Sequence, residues 1–148
     1  ALNEMEQVWQ QQPSALIKEL GQDLLNPRIK LFTLYQSLNT RKLYRPLFDQ
    51  GSYEPLEVKL DVDAQVLAFR RIVEDTEALV VIPLGIKKLN NEHHLPLGEK
   101  AWGKSKIILG KAAGNWHHVF LNKKMQLEAD TEIARLLAEF PVALLIKN

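Results

Sequence analysis

The spacing of apolar residues changes once along this chain, at Gly51, and that change constrains the fold more than any other feature. Before it the spacing is helical: Leu31, Leu34, Tyr35 and Leu38 recur at i, i+3, i+4 and i+7. After it the period is two. In "YEPLEVKL", Leu56, Val58 and Leu60 alternate with Glu57 and Lys59, as in a half-buried strand. A single switch from helices to strands predicts an α+β fold. Helices are expected within residues 2–45 and an antiparallel β-sandwich from about 53 to 146, with a short helix before the last strand. The expected division is a helical segment over 1–50 and a C-terminal β-domain over 51–148.

Turn and cap residues place the elements. Leu2, Met5, Val8 and Trp9 keep helical spacing with no capping residue before them, which fits either a helix continuing from a longer chain or a trimmed Met with a frayed first turn. Pro13 and Ser14 open a second helix that Gly21 stops. Asn26 and Pro27 form a cap and first position for a third, and Pro46 ends it near Arg45. Pro55 confines its strand to an edge or a start. "QVLAFRRIV" and "ALVVIP" read as central strands around a turn at Asp75 and Thr76. "KIILG", "WHHVFL" and "MQLEA" supply further strands, and Leu84 to Lys104 has no period and is expected to be a loop. Asp130 or Thr131 caps a short helix carrying Ile133, Leu136, Leu137 and Phe140, and Pro141 stops it. The apolar run that follows, Val142 to Ile146, is expected as a strand buried on both faces in the middle of a sheet.

The remaining composition excludes several classes. The 148 residues contain no cysteine, so disulfide scaffolds and thiolate metal sites are out. No apolar run nears the ~20 residues that cross a bilayer, and the first residues do not form a secretory signal. The expected location is cytoplasmic, with no membrane partner. Net charge is +1, in blocks: residues 49–77 hold eight carboxylates against three bases, and residues 87–124 hold eight lysines against two glutamates. A nucleic-acid binder is usually more basic overall and mixes in arginine and aromatics, so nucleic acid is not the expected partner.

Chemistry is sparse. His93-His94 and His117-His118 invite a metal, but neighbours on a strand point to opposite faces and no zinc-type spacing is present. No metal or cofactor is expected. "LPLGEKAWG" has glycines at the wrong spacing for a phosphate loop and no following helix. Glu54 with Glu57, and Asp61 with Asp63, are carboxylate pairs on a polar edge and turn, better read as solvated than as acid and base. Trp102 and Trp116 are weak carbohydrate-contact candidates, core packing being the alternative for both.

Several longer segments carry a resemblance: "PRIKLFTLYQSLNTRKLYRPLFDQGSYEPLEV" (27–58), "AQVLAFRR" (64–71), "ALVVIP" (78–83), "LPLGEKAWG" (95–103) and "LLAEFPVALL" (136–145). In order and spacing they resemble the C-terminal end of maltooligosyltrehalose synthase, a family of the α-amylase superfamily. The chain departs from that family's pattern at Asn26-Pro27, Leu84 and Lys104-Ser105, where the family tends to have Asp-Gly, arginine and Asp-Thr. The resemblance implies a parent isomerase, a glucosylmutase of trehalose biosynthesis. It would turn the reducing-end α-1,4 bond of a maltooligosaccharide into an α,α-1,1 bond by a retaining mechanism with two carboxyl groups. Those groups would lie on strand ends of a (β/α)8 barrel upstream, whose last helices would be residues 1–50, so no catalytic residue is expected in this sequence. The implied partners are that barrel and, through it, the maltooligosaccharide; the segment itself would be structural. A carbohydrate-binding module using Trp102 and Trp116, or an interaction domain using the 87–124 lysines, are the alternatives. Ile29, Phe32 and Leu43 lie off the Leu31–Leu38 stripe, so the third helix is apolar on more than one face. That predicts an apolar patch or self-association surface within residues 1–45, unless Trp9, Leu16, Ile17 and Leu20 cover those residues.

Overall fold

The structure, a computed structural model, describes residues 2–21, 27–84 and 95–148. Four helices come first: α1 (Leu2–Gln11), α2 (Pro13–Leu20), α3 (Pro27–Leu43) and α4 (Arg45–Gln50). Pro13 and Pro46 stand in the first turns of α2 and α4, where the missing N–H costs nothing. At Gly51 a Cβ would overlap the Leu47 carbonyl oxygen, so glycine lets the chain leave α4 directly into a strand. The expected cap at Asn26 and the histidine pair 93–94 lie outside the described residues.

The strands that follow are β1 (Ser52–Pro55), β2 (Val58–Lys59), β3 (Gln65–Val73), β4 (Thr76–Leu84), β5 (Lys106–Ile108), β6 (Gly114–His118), β7 (Lys123–Leu127), β8 (Asp130–Glu132) and β9 (Ala143–Lys147). Helix α5 (Gly98–Trp102) precedes β5, and α6 (Ile133–Leu136) follows β8. One sheet has the order β1-β3-β4-β9-β6-β7 and the other β2-β5-β8, and every pairing is antiparallel. The α+β architecture, the early helices and the short helix before the last strand are as the sequence predicts. Hairpin β3–β4 turns at Glu74 and Asp75, with Glu74 in the left-handed region at φ 50°.

Burial alternates along the two inner strands. Ala78 of β4 with Leu144 and Ile146 of β9 face a cluster shared with the helices, built from Met5, Leu16, Ile17, Leu20, Phe32 and Leu47. Leu79 and Val81 of β4 with Ala143 and Leu145 of β9 face a second cluster with Trp102, Ile107, Trp116, Ile133 and Leu137. The molecule is therefore layered: helices, the six-stranded sheet, then the small sheet with α5 and α6. Strand β9 lies between β4 and β6, inside the sheet as its continuous apolar run predicts.

Several expectations are corrected. "YEPLEVKL" is two strands: the Leu56 N–H still bonds Ala68 of the large sheet, while the Glu57 carbonyl accepts from Ile108 of the small one. The chain changes sheets between those two residues, which alternation alone does not reveal. Within the expected loop, residues 98–102 are helical. Asp130 and Thr131 cap nothing; they form β8 against Ile107 and Ile108, and the Thr131 hydroxyl donates to the Glu128 carbonyl. Helix α6 is a single turn, although Ile133, Leu136, Leu137 and Phe140 are all buried.

The largest correction is the face of α3. Leu31, Leu34 and Leu38 are exposed, Leu34 at 55% and Leu38 at 54%, while Ile29, Phe32, Gln36 and Thr40 are buried. The physical reason is aromatic packing. Phe32 lies 5.7 Å from the Phe140 ring and 6.3 Å from that of Phe120, and those two are 4.9 Å apart. A ring enclosed by two others outweighs a stripe of leucines left in water. Ile29 and Phe32 are thus covered by their own chain and offer no surface to a second copy. Phe32→Ala should cost about 3–5 kcal/mol of unfolding free energy, and Leu34→Ala should change it by no more than about 0.5 kcal/mol. Urea denaturation of the two variants checks this; equal costs would mean that α3 packs by its leucine face.

Candidate functional site

The residues picked out in the sequence are mostly structural. Trp102 is fully buried, and its indole N–H donates to the Pro96 carbonyl at 2.9 Å. Trp116 is 1% exposed, and its N–H donates to the Ala112 carbonyl at 2.9 Å. Neither ring has a free face for a sugar, because both fill the space between the two sheets. Among the carboxylates, Glu54 is paired with Arg70 at 2.8 Å, and Glu77 also pairs with Arg70. Asp61 accepts the Lys104 N–H at 3.0 Å while its own N–H donates to Ser105, tying the strand connection to the end of α5. Glu57 and Asp63 are exposed. Among the described residues, no group of three or more His, Asp or Glu could hold a metal ion.

The two histidines of β6 part company as strand geometry requires. His118 is fully buried between the sheets. Its Nε2 lies 3.3 Å from the Leu136 carbonyl, and the Leu121 N–H points at its Nδ1 from 3.5 Å. A carbonyl only accepts and an amide only donates, so this is the neutral ring with its proton on Nε2. Burial is the main cause that lowers its pKa to about 4. His117 points the other way, and burial followed by the nearby Lys124 lowers its pKa too.

His117 belongs to a crevice where the helical layer stops short of the β6–β9 corner. One part, about 270 Å³, is lined by Glu6 and Trp9 of α1, by Gln36, Asn39 and Thr40 of α3, and by Tyr44 and His117. A second part, about 480 Å³, shares Tyr44, His117 and Ile146 and adds Asn115, Lys124 and Lys147. Trp9 is held by its N–H to the Phe120 carbonyl at 2.9 Å. Tyr35 donates its hydroxyl to Glu6 at 2.6 Å, the main cause that raises the Tyr35 pKa. Gln36 is 5% exposed and lines the crevice. The buried side-chain polar atoms left without a partner among the described residues do not include the Gln36 amide, so that amide reaches the water of the crevice. Another cavity, about 610 Å³, opens beside β8, and its lining mixes Glu128, Asp130 and Glu132 with Lys106 and Arg135, with no aromatic side chain.

Sequence reasoning missed the crevice because its walls come from opposite ends of the chain. One signal was present: Phe32, Gln36 and Thr40 follow at i, i+4 and i+8, so two polar residues extend the apolar line that α3 buries.

The buried His118 makes stability depend on pH. Its folded pKa lies below the ordinary 6.5, so its contribution is complete above about 6.5 and is lost as pH falls toward about 4. At about 1.4 kcal/mol per unit the loss is about 3 kcal/mol. Urea midpoints measured from pH 7 to 4 should fall along this curve, and His118→Gln should flatten it. No such flattening would mean that acid acts on other groups.

No protein-family model, no curated protein and no solved structure matches this chain.

Proposed function

We propose that this chain is the C-terminal, structural part of a maltooligosyltrehalose synthase. The parent enzyme, an isomerase of cytoplasmic trehalose biosynthesis, moves the terminal glucosyl linkage of a maltooligosaccharide from α-1,4 to α,α-1,1. The observation that carries the proposal, beside the sequence resemblance, is the uncovered face of α3. Leu31, Leu34 and Leu38 form an apolar line on the outside of the helical layer, where a lone domain would carry polar residues. A barrel packed on the outside of that layer would bury this line. The carboxylates here act in ion pairs and backbone contacts or stand exposed, consistent with catalysis residing in another part of the parent. No helix among the described residues is long and apolar enough to cross a membrane. The alternative of a carbohydrate-binding module loses Trp102 and Trp116, and would have to use the crevice at His117 instead.

The test is the reading frame that precedes Ala1 and the protein that it encodes. The longer protein should convert maltopentaose to a trehalose-ended product, and the 148-residue chain should not. A reading frame without a barrel-sized extension, or turnover by the chain alone that a carboxylate substitution within it abolishes, would overturn the proposal. In the longer protein, Leu34→Lys with Leu38→Lys should lower thermal stability, whereas in the 148-residue chain the same pair should be nearly neutral.

A further inference from the structure

We infer that the crevice between α1, α3 and the β6–β9 corner binds the glucose units of an α-1,4-glucan. The choice of glucan rests on the function proposed above; the inference that the ligand is a sugar rests on the crevice alone. A sugar hydroxyl both donates and accepts, so a site for it needs both kinds of partner beside an apolar wall. The crevice supplies that mixture. Gln36 and Asn39 each offer a carbonyl oxygen and an NH2 group, Glu6 offers a carboxylate, and the neutral His117 ring offers one donor and one acceptor. Trp9 and Tyr44 supply aromatic walls.

Gln36 is the strongest sign. The residue is 5% exposed, it lines the cavity, and its amide faces the water there, since it is not among the buried polar atoms left without a partner. Phe32, on the same side of α3, is enclosed by aromatic rings, so an apolar residue at 36 would continue that face at no hydrogen-bonding cost. An amide that meets only water from the cavity is open to a sugar hydroxyl there. The second part, about 480 Å³, has the size usual for a small-molecule site, and it shares Tyr44 and His117 with the first. Lys124 and Lys147 at one end suit an anion, but Glu6 at the other end opposes one, so a neutral polyol fits the whole length better.

The experiment titrates the 148-residue chain with maltotriose, following ligand heat and the ring resonances of His117 and His118. Binding should shift His117 and leave His118, on the opposite face of β6, unmoved. Gln36→Leu should weaken binding about tenfold while leaving the urea midpoint nearly unchanged, since it removes a partner for the sugar and an amide that water already meets in the free protein. Asn39→Ala, at an exposed position, should weaken binding without affecting folding. Absence of maltotriose binding would overturn the inference. So would binding that both variants leave unchanged, or a His117 shift produced by inorganic phosphate and not by maltotriose. Failure here leaves the enzyme assignment standing, because that is decided by the longer reading frame; a missing barrel, conversely, leaves a measured sugar site in place.

Discussion

The fold depends on the pairing of β4 with β9. Both strands are interior to the six-stranded sheet, and both bury side chains on each face. Each large side chain so enclosed contributes roughly 1.5–3 kcal/mol. One face gives the helices something to pack on, and the other does the same for the small sheet. Without this pair the helical layer has no floor, and the three short strands of the small sheet have no core. The Phe32, Phe120 and Phe140 rings then lock the helices to the sheet, and α3 turns its leucines outward as a consequence.

The helical layer does not cover the whole sheet. It ends near Tyr44, and past that edge the sheet carries His117 and Asn115 on β6 with Lys124 on β7 in place of the apolar residues found under the helices. The polarity of a strand thus changes where its cover stops. Tryptophan follows the opposite logic. Trp102 and Trp116 have their N–H groups satisfied by backbone carbonyls and can be enclosed without cost, so the two residues most suggestive of sugar binding are core residues.

Much of this was legible in the sequence because the relevant signals are local. Strand β3 spans Gln65–Val73, and β9 could be recognised because a continuous run of Val, Ala, Leu and Ile after a proline has few other uses. What was not legible depends on partners distant in sequence. The residues on both sides of α3 keep helical spacing, and only the aromatic rings of Phe120 and Phe140 decide which side is inside. β8 is three residues of polar appearance whose identity as a strand comes from β5. The change of sheet at Leu56 and Glu57 is invisible to a pattern of alternation that continues through it. The crevice joins Glu6 and Trp9 to His117, a union that no window of sequence contains.

The position of β9 also has a consequence for assembly. β3–β4 and β6–β7 are hairpins, closed by short local turns, whereas β9 reaches its place from far along the chain. Until it arrives, β4 and β6 are edges, each with a row of unpaired N–H and C=O groups. One of them carries Leu79 to Ile82, uncharged and rich in β-branched residues, the composition that templates intermolecular strand pairing. The strand that gives the finished sheet its protected interior therefore also sets a window of vulnerability. A chain whose β9 is delayed or damaged presents two sticky edges to its neighbours, and its hazard is aggregation before it is loss of stability.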